Sequence, residues 1–124
     1  MVQFLSLTSS IAALLLLSAG ISDVSASTTC TVASSSGDSA SNIVSAFTKC
    51  KSGGTVVFTK GVTYNLESVV TISGLTNVNI NLAGTIKLPS RSTSWQNLDH
   101  YIQLQGSGIN MYGGGTINGN GQAW

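Results

Sequence analysis

The chain has 124 residues, of which only 7% are charged, with 5 Lys and Arg against 4 Asp and Glu. So weak and scattered a charge excludes the basic footprint of a nucleic-acid binder, and the length allows one domain at most. Low charge does not imply disorder here, because β-branched residues are abundant and regularly patterned; the surface must be built largely from Ser, Thr, Asn and Gln.

In chain order, residues 11–20, IAALLLLSAG, form an apolar run too short to span a bilayer. DVSAS follows, with Val24 and Ala26 spaced like the small residues of a signal-peptidase site. Residues 1–26 therefore read as a secretory signal cleaved after Ala26, although MVQ supplies no Lys or Arg ahead of the apolar run. The mature part then carries Lys49, Lys51, Lys60, Lys87 and Arg91 against Asp38, Glu67 and Asp99. An even cysteine count in a secreted chain points to a disulfide between Cys30 and Cys50. By loop closure it contributes about 3 kcal/mol. Two Cys and one His without ligand spacing make no zinc site, and no Asn-x-Ser/Thr acceptor occurs.

Residues 27–37 form an extended polar lead-in. The spacing predicts a helix over 38–52, capped by Asp38 or Ser39: Ile43, Ala46, Phe47 and Cys50 fall on one face. Gly53 and Gly54 end it, with Lys49 and Lys51 in the last turn, where the helix dipole favours cations. The periodicity then changes to alternation. Strands are predicted at 55–58, 62–66, 69–73, 77–82, 85–88, 101–104, 109–112 and 116–118, each short and separated by Gly or Asn. Asn77, Asn79 and Asn81 alternate on one strand face, a pattern suited to side-chain ladders. NINLAGTI at 79–86 matches NMYGGGTI at 110–117, 31 residues later, and VVTIS precedes the first copy as YIQLQ precedes the second. Self-similarity at this period indicates a stacked array, here a parallel β-helix with the 38–52 helix plugging its first rung.

The closing GGGTINGNGQAW then supplies corners, since Gly and Asn adopt left-handed backbone most readily. No phosphate-loop pattern is present. At its far end such a stack presents unpaired strands and an apolar cross-section. Asp99 and His100 are neighbours in an extended segment, point to opposite faces, and read as a surface loop entering a strand. Trp95 and Trp124 read as packing aromatics before sugar platforms. Lys60, Lys87 and Arg91 read as solvated cations before a binding site for a polyanion.

Three segments, in order, carry a resemblance. They are the signal, the Cys-helix-Cys lead-in running into GGTVVFTKGVTYNL, and GGGTINGNGQAW. The chain resembles the N-terminal part of a fungal polygalacturonase of glycoside hydrolase family 28. Its final segment is similar to that family's Gly-Thr-Ile-Asp-Gly-Asn-Gly-x-x-Trp, with Asn118 where Asp is usual. With YIQLQGSGINMYGGG before it, this looks closer to the exo-acting branch. The resemblance covers residues 28–124 and is most specific at 106–124.

The resemblance implies an all-β fold, a right-handed parallel β-helix (a pectin-lyase-like solenoid). Residues 27–54 would be its disulfide-stapled lead-in and cap helix, and residues 55–124 its first rungs. It implies a secreted, monomeric hydrolase that cleaves α-1,4-galacturonosyl bonds of pectin with inversion. Such an enzyme needs no cofactor, no nucleic acid and, after signal cleavage, no membrane. The family's acids come from Asn-Thr-Asp and Asp-Asp segments, and Gly-His-Gly and Arg-Ile-Lys segments add further groups. None occurs here: Asp38, Glu67 and Asp99 are isolated, His100 sits in LDHYIQL and Arg91 in PSRSTSW. No catalytic residue carries over to any position. The expectation is an N-terminal fragment, inactive alone, that stops before the catalytic segments. A lyase on the same fold and a non-catalytic wall-binding β-helix remain alternatives.

Overall fold

The computed structural model describes residues 28–90, 95 and 97–123. The signal segment, Arg91 and Trp124 lie outside the described residues. Among the described residues the regular structure comprises nine short strands, the α-helix Ala40–Cys50 and a 3-10 turn at Gly121–Ala123. In chain order they are β1 (Thr29–Thr31), α1 (Ala40–Cys50), β2 (Thr55–Phe58), β3 (Thr63–Asn65), β4 (Val70–Thr76), β5 (Asn79–Leu82), β6 (Thr85–Lys87), β7 (Ile102–Ser107), β8 (Asn110–Tyr112) and β9 (Thr116–Asn118).

Every ladder is parallel, and the strands form three sheets ordered β1-β2-β5-β8, β3-β6-β9 and β4-β7. From β2 onward the chain visits these sheets in a fixed cycle. Parallel neighbours need a long crossover, and here each crossover passes through the other two sheets. Thr55 pairs with Asn79 and Asn79 with Asn110, the second step spanning 31 residues. Thr85 pairs with Thr116 and Ile86 with Ile117 at the same interval. The repeat read in the sequence is thus the ladder register itself.

That register stacks like on like. Val56 lies under Ile80, Phe58 under Leu82, Tyr64 under Ile86 and Val70 under Ile102. The first member of each pair is buried, as are Ile80, Leu82 and Ile86. Strand alternation puts these residues inward, while Thr55, Val57 and Asn81 point outward. Phe58 and Tyr64 meet edge to face with ring centroids 5.2 Å apart, the arrangement the ring quadrupoles favour. The Tyr64 hydroxyl donates to the Val32 carbonyl at 3.2 Å and accepts from the Thr59 N–H at 2.8 Å. The largest fully buried side chain therefore leaves no unmet polar group.

Helix α1 is shorter than the predicted 38–52, because Ser39 already leaves helical geometry at one end and Gly53 takes φ 77° beyond the other. It buries Ile43, Ala46, Phe47 and Cys50 on one face and packs on β1, β2 and β4. A disulfide joins Cys30 in β1 to Cys50 on that face. The polar lead-in contains a strand that alternation did not reveal: β1 pairs in register with β2, Cys30 beside Val56.

The expectation for Asn77 needs correction. It lies outside β5, with φ 52°, at the turn between β4 and β5. A short polar side chain tolerates that left-handed geometry. Asn79 does take part in a ladder contact, accepting from Asn110 Nδ2 at 3.5 Å. Corner geometry at the closing glycines is tight. Gly113 has φ 120°, and a Cβ there would lie 2.3 Å from the Leu82 carbonyl oxygen. At Gly115 a Cβ would lie 2.2 Å from the Gly84 carbonyl oxygen. Both corners require glycine.

Candidate functional site

Inverting glycoside hydrolysis needs two carboxyl groups roughly 6.5–9.5 Å apart across a site that admits the substrate. The described acids are Asp38, Glu67 and Asp99. Asp38 is half-buried, ahead of α1, and both of its oxygens are committed. Oδ1 accepts from the Ala40 N–H at 3.0 Å and from the Glu67 N–H at 2.9 Å, and Oδ2 accepts from the Ser68 hydroxyl. Burial raises its pKa, but the hydrogen bonds from Ser68, Glu67 and Ala40 outweigh that and hold the carboxyl below its ordinary value. A carboxylate held ionised and fully engaged is a poor proton donor. It is a latch tying the start of α1 to the turn between β3 and β4.

The latch also revises the helix cap. Ser39 occupies the N-cap position but makes no side-chain cap bond, and its buried hydroxyl has no partner. Its backbone N–H donates to the Asn65 carbonyl at 2.7 Å. Asp38, one residue earlier, accepts from the Ala40 N–H, one of the first-turn donors that have no partner within the helix. Sequence alone named both residues but could not show that Asp38 also reaches 30 positions along to Ser68.

Asp99, His100 and Trp95 lie on the loop between β6 and β7. Asp99 is exposed, and His100 is half-exposed with Nε2 3.1 Å from the Thr71 hydroxyl on β4. Trp95 is buried and stacks on Tyr101 with ring centroids 4.9 Å apart. A ring covered by a protein aromatic is not offered to a sugar. Lys60 is exposed at the turn after β2, and Lys87 lies in β6. No group of three or more His, Cys, Asp or Glu among the described residues is placed to hold a metal. Beside α1 runs an open groove lined by Asp38, Ser41, Val44, Thr48, Lys49 and Val69. Its one acid is the engaged Asp38. The structure thus brings Asp38 together with Ser68, and His100 with Thr71. It does not assemble an acid–base pair from the described residues.

What these residues do build is a closed starting edge. On the first sheet β1 covers β2. On the sheet of β4, Ser52 bridges to Thr76, the Thr76 N–H donates to the Lys51 carbonyl at 2.9 Å, and the Gly53 N–H donates to the Thr76 carbonyl at 2.8 Å. On the third sheet the Ser39 N–H meets Asn65 next to the Asp38 latch. Edge strands left open are templates for aggregation; here the lead-in and α1 add backbone contacts beside β3 and β4, and β1 takes the terminal place on its own sheet.

No family model matches the chain, and no solved structure gives a significant match. Curated relatives do. Over its full length the chain is 63% identical to the exopolygalacturonase rpg16 of Rhizopus delemar and 60% identical to rpg15 of the same fungus, covering 33% of each. It is 38% identical over 70% of its length to an exopolygalacturonase of Cochliobolus carbonum, covering 22% of that protein. The chain therefore spans about a third of the length of these Rhizopus delemar relatives. Identity this high, sustained from end to end, places the chain in the fungal polygalacturonase family.

Proposed function

We propose that this chain forms the opening coils of a secreted exopolygalacturonase-type hydrolase, which removes galacturonic acid from the ends of polygalacturonate chains. The observation that carries the reading is the end-to-end identity of 63% to a relative named for that activity. The cyclic path through three parallel sheets supports a right-handed parallel β-helix, with α1 as its cap. The Cys30–Cys50 disulfide supports an oxidising, extracellular destination, as does the leader at residues 1–26. The substrate is then a wall polysaccharide, and the relatives' names favour hydrolysis over elimination by a lyase.

In inverting hydrolysis a carboxylic acid protonates the departing glycosidic oxygen while a carboxylate takes a proton from water attacking the opposite face of the sugar. The residues described here supply neither group. On this reading those acids come from the part of the enzyme outside the third that this chain matches. This chain's part is to close the starting edge and to set the register in which further coils stack. That register fixes how any side chain on them is aimed.

The test is to read the transcript through and past the codon for Trp124 and to assay the encoded protein on polygalacturonate. The expected result is an open frame supplying Asn-Thr-Asp, Asp-Asp, Gly-His-Gly and Arg-Ile-Lys segments, whose product releases galacturonic acid monomer. The 124-residue product alone should release none. Reducing sugar from that product alone, or unsaturated uronides from the longer one, would overturn the reading.

A further inference from the structure

The turns that leave β3, β6 and β9 stack on the flank of the molecule and enclose a recess of about 260 Å³. Asn65, Glu67, Lys87, Leu88, Pro89 and Asn120 stand in its wall. Main-chain bonds hold that wall: the Leu66 N–H donates to the Lys87 carbonyl at 2.9 Å, and the Leu88 N–H donates to the Asn118 carbonyl at 2.9 Å. Asn120, in left-handed backbone with φ 55°, donates from Nδ2 to the Leu88 carbonyl at 3.3 Å. Asn65 and Lys87 are ladder partners, on strands ~4.8 Å apart. Both point outward, since Tyr64 and Ile86 beside them are buried. Strand β6 has a neighbour on each side, so Lys87 owes its position to the body of the sheet and not to an edge. One cation and one anion, Lys87 and Glu67, thus share a recess, yet neither forms an ion pair among the described residues.

We infer that this recess is a binding site for one hexuronate unit: the Lys87 ammonium meets the carboxylate, and Glu67 with the amides of Asn65 and Asn120 takes the ring hydroxyls. The donor and acceptor inventory selects that ligand. An ammonium only donates and a carboxylate only accepts. A ligand that satisfies both brings a single negative charge for Lys87 and hydroxyl donors for Glu67. Phosphate or sulfate would set up to two charges against Glu67, and a neutral sugar would leave Lys87 without its charge-assisted bond. The volume lies just below the roughly 300–1,000 Å³ of sites for drug-sized ligands, which suits one sugar unit. Half-buried Leu88 and Pro89 offer apolar surface to the C–H face of a ring. The backbone bonds that hold the wall form without a ligand, so binding orders little besides the side chains. The inference rests on the proposed function only in naming galacturonate among the hexuronates.

The test titrates the secreted 124-residue chain with galacturonic acid, methyl α-galactoside and inorganic phosphate, following backbone amide shifts by NMR. The expected result is saturable binding of galacturonic acid, with the largest shifts at Leu66, Glu67, Leu88 and Asn120. The galactoside and phosphate should each bind at least about tenfold more weakly. Lys87→Gln should weaken galacturonic acid by about tenfold or more, whereas Lys87→Arg, which keeps the charge, should bind within about threefold of the native chain. Lys60→Gln, a cation outside the recess, is the control and should change nothing. Glu67→Gln should narrow the gap between galacturonic acid and phosphate by removing the repulsion. No saturable binding, equal binding of phosphate, or a Lys87→Gln chain that binds as the native one does would each overturn the inference. Binding here, with no galacturonic acid released by the protein encoded past Trp124, leaves the recess standing and defeats the proposed function. Release by that protein, with no binding here, does the reverse.

Discussion

Ile80 and Met111 are direct neighbours in one column but differ in exposure, 1% against 50%, and truncating each to alanine separates a buried position from a half-exposed one. Ile80 is 1% exposed, with Val56 on one side and Met111 on the other. Ile80→Ala removes three buried carbons, about 2.4 kcal/mol at ~0.8 kcal/mol each. The cavity left behind brings the loss to about 3 kcal/mol. Met111 is half in water already, so Met111→Ala forfeits roughly 1 kcal/mol of burial and closes off no cavity. Urea unfolding of the 124-residue chain, followed by far-UV circular dichroism at low protein concentration, measures both. The expected result is a midpoint lowered markedly by Ile80→Ala and slightly by Met111→Ala, with unchanged slopes. Equal losses at the two positions would refute the reasoning, since the two side chains would then not differ in burial.

Three further outcomes follow from the lead-in and the corners. Reducing the Cys30–Cys50 bond should lower stability by about 3 kcal/mol, read as a shift in the urea midpoint with and without dithiothreitol. Asp38→Asn should cost about 1–2 kcal/mol, because an amide cannot accept all three bonds as a carboxylate does. Asp38 is held below its ordinary pKa in the fold, so its contribution is present above the unfolded value near 4 and lost as pH falls through the folded value. The native chain should therefore lose stability on acidification below about pH 4, and Asp38→Asn should lose less over the same interval. Gly113→Ala should destabilise by well over 1 kcal/mol, through its left-handed backbone and its collision with the Leu82 carbonyl. Gly114→Ala, where a Cβ meets nothing within 4 Å, is the control and should be close to neutral in the same thermal melt.

The helix and most strands were legible because their periodicities are strong. Ile43, Ala46, Phe47 and Cys50 leave one reading for α1, and alternation across Val56, Phe58, Ile80 and Leu82 leaves one for β2 and β5. The second-to-third coil register was legible because it repeats residue identities, Asn79 with Asn110 and Ile86 with Ile117. The first step was not. Thr55 pairs with Asn79 and Tyr64 with Ile86, matches of burial with no shared identity. Strand β1 hid in a Ser/Thr-rich stretch where only Cys30 and Val32 point inward, too few to show a period. Asn77 was misplaced because alternation cannot see a left-handed φ. The Asp38 latch joins groups 29 and 30 positions apart, which no local pattern encodes.

The most direct measurement grafts this chain in place of the matched third of Rhizopus delemar rpg16 and follows galacturonic acid release from polygalacturonate. If these residues form the closed edge and first coils of that enzyme type, the graft should be secreted and release monomer within about tenfold of the relative's own rate. A folded, secreted graft that releases no galacturonic acid would contradict it.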